Sequence, residues 1–192
     1  MNPLLDSLYE EYFERYPHER RIAAFDVETT GFRSSDRLTE IGIAGYEFDG
    51  YKIKYIEFET FIDPERSIPE EIVNLTHITD EMVLNAPKDI DIYPKFIEFI
   101  EGSTRLVAHN SQFDHRMVTS NFNRVGLNIP NFEDKVNIHC TLRRAKKSGL
   151  IVPKYDLASL CEHFGYTNEN AHRAKDDALA TLFVWGKLAL QS

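Results

Sequence analysis

The chain contains 192 residues, of which 42% are hydrophobic, so it can bury one sizeable core but is short for two full domains. Its 31 acidic residues outnumber its 22 basic residues, and the formal charge of -9 argues against a protein that attracts phosphates over its whole surface. Cys140 and Cys161 show no paired spacing, which excludes a disulfide framework or a zinc knuckle and favours two small buried side chains in a reducing compartment.

The chain begins with an amphipathic helix, predicted over residues 4–16 and ended by Pro17. We assign residues 1–20 to a helical extension that precedes one main domain over residues 21–192. The extension is expected to cover a sheet face, and a dimer or partner contact is the less favoured alternative. The start lacks a basic, apolar leader and no stretch is long enough to span a membrane, which predicts a soluble, cytoplasmic protein without a membrane partner.

After residue 20, a meander of strands is followed by strands that alternate with helices, which predicts an α/β fold with a mixed central sheet of about five strands flanked by helices. Asp49-Gly50 is a favoured hairpin turn between the second and third strands. Strands are predicted over residues 21–27, 39–47, 53–62, 105–108 and 135–140. Helices are predicted over residues 89–101, 111–125, 155–164 and 175–189, with two short helical stretches between Ser67 and Leu84, the second capped by Thr79 and Asp80.

One cluster of basic residues stands out in this acidic chain: Arg143, Arg144, Lys146 and Lys147. A protein that contacts nucleic acid needs positive charge only where the strand lies, so a local cluster matters more than the net charge. The cluster is either an ordinary solvated helix face or a surface that contacts phosphates, and the sequence leaves both interpretations open.

Two carboxylates follow the apolar run at residues 22–25. Asp26 and Glu28 alternate with Val27, so on a strand both acids lie on one face and Val27 lies on the other. Like charges this close are unfavourable unless a cation sits between them or one carboxyl is protonated. A solvated strand edge with two acids is the alternative, but the preceding residues indicate a buried strand. The pattern therefore favours a site for a divalent metal ion.

Three further polar residues are candidates to complete such a site. Asp114 falls in the first turns of the helix after the fourth strand, where capping is the more ordinary role. His172 lies in a polar, exposed segment before the last helix, and Asp177 lies near the start of that helix. Asp176 competes with Asp177 as a ligand, although consecutive helical residues diverge by about 100 degrees and only one should face the site. His109 ends a predicted strand, which favours a packed or hydrogen-bonded role.

The order and spacing of five motifs resemble the DEDDh 3'-5' exonucleases, a family that includes the proofreading epsilon subunit of bacterial DNA polymerase III and free-standing relatives. The resemblance covers roughly residues 21–190. The motifs are Asp-x-Glu-Thr-Thr-Gly at residues 26–31, Asp-Arg-Leu-Thr-Glu-Ile-Gly at 36–42, Leu-Thr-His-Ile-Thr at 75–79, His-Asn-x-x-Phe-Asp at 109–114, and His-Arg-Ala-x-x-Asp-Asp-Ala at 172–179.

The resemblance implies a ribonuclease H-like fold and a site with two Mg²⁺ or Mn²⁺ ions. By this similarity Asp26, Glu28 and Asp177 bind the ion that carries the attacking water. Asp26 also bridges to the second ion, which Asp114 supports through water. His172 is implied to take the proton from the nucleophilic water, so all five residues are expected to be catalytic. Two cations in one site suit the hydrolysis of a phosphodiester.

The resemblance also implies where the substrate lies. Thr29 and Thr30 are expected against the terminal nucleotide, and Phe32 is expected to line its pocket. His109 and Asn110 are further candidate substrate contacts from the fourth motif. The expected partner is the 3' end of a single-stranded nucleic acid, DNA or possibly RNA in different relatives, from which nucleoside monophosphates are released.

Several alternatives stay open at this stage. An exoribonuclease that trims RNA would use the same fold, and a nucleic-acid-binding module without catalysis could retain it. Many relatives have an aspartate at the position of Cys140, which we interpret as a difference in the scaffold and not as a lost ligand. Few residues follow Trp185, so no polymerase-binding tail or clamp-binding peptide is indicated, and a free-standing enzyme is expected. The oligomeric state is left open.

Overall fold

The computed structural model describes residues 2–129 and 138–191. Its central feature is one sheet with helices on both faces. The strands are β1 (Arg21–Thr29), β2 (Leu38–Phe48), β3 (Ile53–Phe61), β4 (Arg105–Ala108) and β5 (Ile138–Cys140). The helices are α1 (Pro3–Arg15), α2 (Glu70–Thr76), α3 (Asp80–Val83), α4 (Asp89–Gly102), α5 (Gln112–Arg124), α6 (Thr141–Lys147), α7 (Leu157–Phe164) and α8 (Ala174–Leu190).

The sheet has the strand order β3-β2-β1-β4-β5. β1 pairs antiparallel with β2, and β2 pairs antiparallel with β3 across the hairpin at Asp49 and Gly50. β4 pairs parallel with both β1 and β5. The predicted mixed sheet of five strands is confirmed. Because β1 and β4 are parallel neighbours, their carboxyl ends lie at the same edge of the sheet.

Several details differ from the sequence-based expectations. β1 extends two residues further than predicted, to Thr29, and α6 was not predicted as a separate helix. The first three residues of the strand predicted over 135–140 lie outside the described residues. Thr79 occupies the N-cap of α3, but its side chain makes no capping hydrogen bond. The carboxylate of Asp80 instead accepts a hydrogen bond from the backbone of Ile68, at 2.8 Å.

Each face of the sheet is covered by its own hydrophobic cluster. Along β1, Ile22 and Ala24 belong to the cluster that contains α8, whereas Ala23, Phe25 and Val27 belong to the cluster that contains α4 and α5. This alternation follows the two-residue period of a strand. Asp26 and Glu28 therefore continue the face that packs against α8.

Helix α1 packs into the cluster on the α8 side of the sheet. The Tyr9 ring stacks on Tyr46 of β2 with centroids 4.8 Å apart, and its hydroxyl donates a hydrogen bond to the carbonyl of Leu182 in α8 at 2.8 Å. Phe13 stacks on Phe48 with centroids 5.2 Å apart. Burial of several aromatic rings at one helix contributes several kcal/mol, so α1 is an integrated part of this core.

The first turn of α8 lies directly against β2 at Gly42. A Cβ atom at this position would lie 2.1 Å from the backbone nitrogen of Lys175. Glycine is therefore required for this close approach, which brings the beginning of α8 to the end of β1. Among the residues that the structure describes, no helix combines the length and the apolar character needed to cross a membrane.

Candidate functional site

The carboxyl end of β1 carries the two acids of the first motif on the face toward α8. Asp26 and Glu28 occupy the positions that follow Ile22 and Ala24 on that face, and both remain partly exposed. On this face of β1, the hydrophobic residues that pack against α8 are therefore followed directly by the two acids. The register between β1 and β2 shifts between Glu28 and Thr29, which ends the regular strand at this point.

Asp114 approaches the same place from the neighbouring strand. It is the third residue of α5, which begins soon after β4, and its relative exposure is only 2%. Burial raises the pKa of Asp114 to about 8, although backbone hydrogen bonds, including one from Val27, act in the opposite direction. A carboxyl buried beside other acids is a costly arrangement for stability and a common one in functional sites.

His172 and Asp177 come from the beginning of α8. The carboxylate of Asp177 accepts hydrogen bonds from the backbone nitrogen of His172 at 3.1 Å and from the amide of Asn168 at 2.5 Å. His172 has a positive φ of 66°, in the left-handed region that a residue other than glycine rarely adopts. Ligand atoms of Glu28, His172 and Asp177 all lie within 4.8 Å of one another. Asp176, the competing acid, does not line this site.

A buried ion pair fixes the segment that contains His172. Glu40 of β2 lies opposite Glu28 in the sheet register and is completely buried. Its carboxylate accepts hydrogen bonds from Arg173 Nη2 at 2.6 Å and from the backbone nitrogen of Ala174 at 3.0 Å. The guanidinium of Arg173 also lies 4.9 Å above the ring of Phe61. This arrangement holds the residue next to His172 and the first residue of α8 against the sheet.

The five predicted catalytic residues line one cavity of about 220 Å³, which we call the acid cavity. Its acidic end is formed by Asp26, Glu28, Asp114, His172 and Asp177, and its remaining wall is mainly apolar. Ile72, Leu75, Phe32 and Phe113 contribute to that wall. Phe32 is 64% exposed, so its ring face is available to a ligand.

The charges of this cavity are unfavourable without a cation. Burial raises the pKa of Glu28 to about 8, and the nearby carboxylates of Asp177, Glu40 and Asp114 add to this effect. The pKa of Asp26 is raised well above its ordinary value, first by burial and then by Asp114 and Glu28. Protons or cations must therefore neutralise part of the negative charge. Carboxylate oxygens with a nearby imidazole suit a hard divalent cation.

Of the five residues predicted to contact the substrate, three line the acid cavity and two do not. Thr29, Phe32 and His109 line the acid cavity. Burial lowers the pKa of His109 to about 4, and its Nδ1 lies 2.8 Å from the hydroxyl of Thr141. Thr30 lies beside the cavity, where its hydroxyl accepts a hydrogen bond from the backbone of Arg37 at 3.0 Å. Asn110 is exposed, and its carbonyl accepts a hydrogen bond from Phe113 at the start of α5.

Sequence reasoning gave no role to several residues that shape the site. Ile72 lines the cavity and belongs to none of the motifs, whereas Leu75 and Phe113, which also line it, were noted only as parts of motifs. Glu40 was also quoted within a motif without a role. A larger cavity of about 580 Å³ lies on the other side of His172 and Asp177, between their segment and α7.

Comparison with known proteins gives one family match and several similar chains. Residues 23–184 match the family model described as Exonuclease (RNase_T). The chain is 36% identical over 172 residues to the DNA polymerase III subunit epsilon of Treponema pallidum, which covers 89% of this chain and 77% of that protein. It is also 36% identical over 180 residues to the PolC-type DNA polymerase III of Clostridium perfringens. That match covers 93% of this chain but only 12% of the polymerase.

The fold is shared with a solved structure, the zinc ion bound form of the E. coli ExoI-ssDNA complex. The TM-score is 0.77 at 16% sequence identity, and the match covers 91% of this chain and 41% of that chain. The predicted ribonuclease H-like architecture, with its mixed five-stranded sheet between helices, is confirmed.

Proposed function

The chain belongs to the exonuclease family, and from this premise we propose that it removes nucleotides from the 3' end of single-stranded DNA in a reaction that depends on divalent cations. One observation carries the proposal: acids from three separate parts of the chain, at residues 26–28, 114 and 177, meet with His172 in the acid cavity. The raised pKa values of Glu28 and Asp114, both about 8, support a site that neutralises its charge by binding cations.

The carboxylate ligands of the acid cavity suit Mg²⁺ or Mn²⁺. Asp26, Glu28 and Asp177 would hold one ion, and Asp26 together with Asp114 would hold a second. Carboxylate oxygens are the ligands that these hard cations prefer. When bound, two such ions lower the pKa of a coordinated water and stabilise both the attacking and the leaving oxygens of a phosphodiester.

The side chain of His172 would accept the proton of the attacking water. The backbone nitrogen of His172 donates to Asp177, which fixes the segment, while its side chain is exposed and close to Glu28 and Asp177. Imidazole is the side chain best suited to proton transfer near neutral pH. Glu40 and Arg173 would position this histidine by holding the chain immediately after it.

The apolar wall of the acid cavity would receive the terminal nucleoside. The exposed ring of Phe32 and the side chain of Leu75 offer flat and apolar surfaces for a base, which is a sequence-tolerant mode of recognition. Thr29 would lie beside the sugar at the same end of β1. The substrate contacts predicted for Thr30, His109 and Asn110 remain predictions.

DNA is the proposed polymer because the similar proteins include DNA polymerase III subunits and an exonuclease solved with single-stranded DNA. Digestion of matched DNA and RNA oligonucleotides tests this choice, with each polymer single-stranded or in a duplex and labelled at either end. We expect Mg²⁺-dependent shortening from the 3' end, with single-stranded DNA cleaved fastest. Faster cleavage of RNA would reassign the substrate, and binding without shortening would identify a silent binding module. Equal cleavage in EDTA would contradict the role of the cations.

A further inference from the structure

A second charged region lies between α6 and α8, in a groove of about 410 Å³ that we call the α6 groove. Arg143, Arg144 and Lys147 form its basic side, and Trp185 and His139 contribute aromatic surface. None of these residues lines the acid cavity. The groove is therefore a separate feature, and its charge has the opposite sign to that of the cavity.

The exposed cations of the groove are arranged on one helix face. Arg143 and Lys147 are four residues apart in α6, so their side chains lie on the same side of the helix. Both are exposed. Arg144 is held lower in the groove, where its guanidinium lies 4.6 Å from the Trp185 ring centroid and donates a hydrogen bond to the carbonyl of Leu188. Arg144 thus stabilises the floor, and Arg143 and Lys147 face the solvent.

Arg143 and Lys147 have no acidic partner, whereas several arginines elsewhere in the protein do. Arg21, Arg105 and Arg173 each form an ion pair with a glutamate. Within residues 2–129 and 138–191, no carboxylate lies within 4.0 Å of Arg143 or Lys147. Two such cations on one helix face, both lining the same groove, suit an anionic ligand.

The α6 groove begins beside the wall of the acid cavity. His109, which lines that cavity, lies 2.8 Å from the hydroxyl of Thr141, the first residue of α6. Arg143 Nη2 lies 3.5 Å from the hydroxyl of Ser111, which is the N-cap residue of the helix that carries Asp114. A chain of direct contacts therefore connects the basic side chains to the place where the acids meet.

We propose that the α6 groove binds the phosphate backbone of the substrate strand upstream of the nucleotide held in the acid cavity. This inference rests on the proposed exonuclease function. The seven residues of α6 span roughly 10 Å, which corresponds to about three phosphates of a stacked strand. The cations thus contact phosphates about two to four nucleotides from the 3' end, and the apolar floor contributes surface for sugars or bases.

The test compares a double variant, Arg143→Ala with Lys147→Ala, against a control of equal charge, Lys52→Ala with Lys54→Ala. Both control lysines are exposed at or after the β2–β3 hairpin. Two substrates are used with Mg²⁺: a series of single-stranded DNA oligonucleotides from two to ten nucleotides, and the p-nitrophenyl ester of thymidine 5'-monophosphate. The ester occupies only the acid cavity, so it reports the chemistry without the groove.

For the wild type and the control, we expect KM to fall with oligonucleotide length up to about five nucleotides. In the groove variant, KM should no longer decrease with oligonucleotide length. Its KM for the ten-nucleotide DNA should be about tenfold higher than that of the wild type at low salt. The slope of log(1/KM) against log salt decreases by about 0.7 for each lost phosphate contact. Hydrolysis of the ester by the groove variant equals that of the wild type.

Two outcomes would overturn the inference while the enzyme remains an exonuclease. One is that KM of the groove variant depends on oligonucleotide length and on salt as it does in the wild type. The α6 groove would then bind a different anion, such as an acidic peptide. The other is an equal loss of activity on the ester, which would mean that the substitutions disturb the acid cavity. Failure of the wild type to hydrolyse any oligonucleotide or the ester would instead contradict the proposed function itself.

Discussion

The acid cavity and the α6 groove carry opposite charges and hold them in different ways. In the cavity, Asp114 is buried and Glu28 is only partly exposed, and the pKa values of both carboxyl groups rise to about 8. In the groove, Arg143 and Lys147 extend into the solvent. A buried cluster of like charges needs a compact counterion at a fixed place, whereas exposed cations suit a flexible polyanion.

This difference explains how an acidic protein can act on an acidic polymer. The cavity offers negative charge that would hold cations, and such cations would neutralise the phosphate at the cleaved bond. The groove supplies positive charge only where the strand continues. The two regions should therefore respond differently to substitution, pH and salt, and the following predictions separate them.

The largest effect is expected when a central acid of the cavity is removed. Asp26→Ala should lower the rate of DNA hydrolysis by about a thousandfold, because the transition state loses roughly 4 kcal/mol of metal-dependent stabilisation. Asp176→Asn is the matched control, since this acid lies beside Asp177 in sequence but does not line the cavity. Release of labelled mononucleotides measures both. Equal losses in the two variants would mean that the cavity is not the catalytic centre.

Removing the imidazole should affect turnover more than metal binding. His172→Ala is expected to lower kcat by about a hundredfold or more, as is typical when a general base is lost. The affinity for Mn²⁺ should change little. The exposed His163 of α7 provides the control through His163→Ala. A large loss of Mn²⁺ affinity in His172→Ala would assign this residue as a ligand, which its closeness to Glu28 and Asp177 also allows.

A smaller effect on both stability and turnover is expected when the buried ion pair is broken. Glu40→Gln leaves the guanidinium of Arg173 with only its longer ion pair to Glu59, at 3.6 Å, and should lower the free energy of unfolding by about 2–3 kcal/mol. Turnover should fall because His172 loses its fixed position. Glu57→Gln removes an exposed pair with Lys175 and should change stability by less than about 0.5 kcal/mol. A Glu40→Gln protein of normal stability and turnover would exclude the positioning role.

The free energy of unfolding should depend modestly on pH because of the carboxyl groups in the acid cavity, and the cations of the α6 groove should not contribute to this dependence. The folded protein holds protons on Glu28 and Asp114 up to a pKa of about 8, whereas these groups ionise near pH 4 in the unfolded chain. In EDTA, these groups bind more protons in the folded state, so stability falls as the pH rises between about 7 and 8, above the range in which His109 and His139 titrate.

Unfolding in urea at several pH values, with EDTA or with Mg²⁺, measures this effect. We expect Mg²⁺ to reduce the decline because it favours the ionised carboxylates. The groove variant should show the same decline as the wild type, since arginine and lysine stay charged throughout this range. Stability that rises between about pH 7 and 8 in EDTA would contradict the raised pKa values of the cavity, because the lowered pKa values of His109 and His139 act only below this range.

Much of the site could be predicted from the sequence because its residues follow local periodicities. The alternation around Val27 placed Asp26 and Glu28 on one strand face, and the structure has them there. The helical angle between Asp176 and Asp177 predicted that only one would face the site, and Asp177 lines the cavity. These rules depend only on neighbours within one element.

Other features depend on contacts between distant parts of the chain and could not be predicted in this way. The role of Glu40 follows from Arg173, which lies 133 residues away in sequence. The requirement for Gly42 follows from the position of α8. The basic cluster at residues 143–147 allowed two interpretations, because the sequence does not show whether acids pair with it in the folded protein.

Titration of the protein with Mn²⁺ by calorimetry tests most directly whether the acid cavity binds paired cations. We expect two ions per chain for the wild type and for Asp176→Asn, with Mg²⁺ competing for both. Asp26→Ala should bind at most one ion, and weakly, because the residue that bridges the two positions is missing. Equal stoichiometry and affinity in Asp26→Ala and the wild type would contradict the proposed metal site.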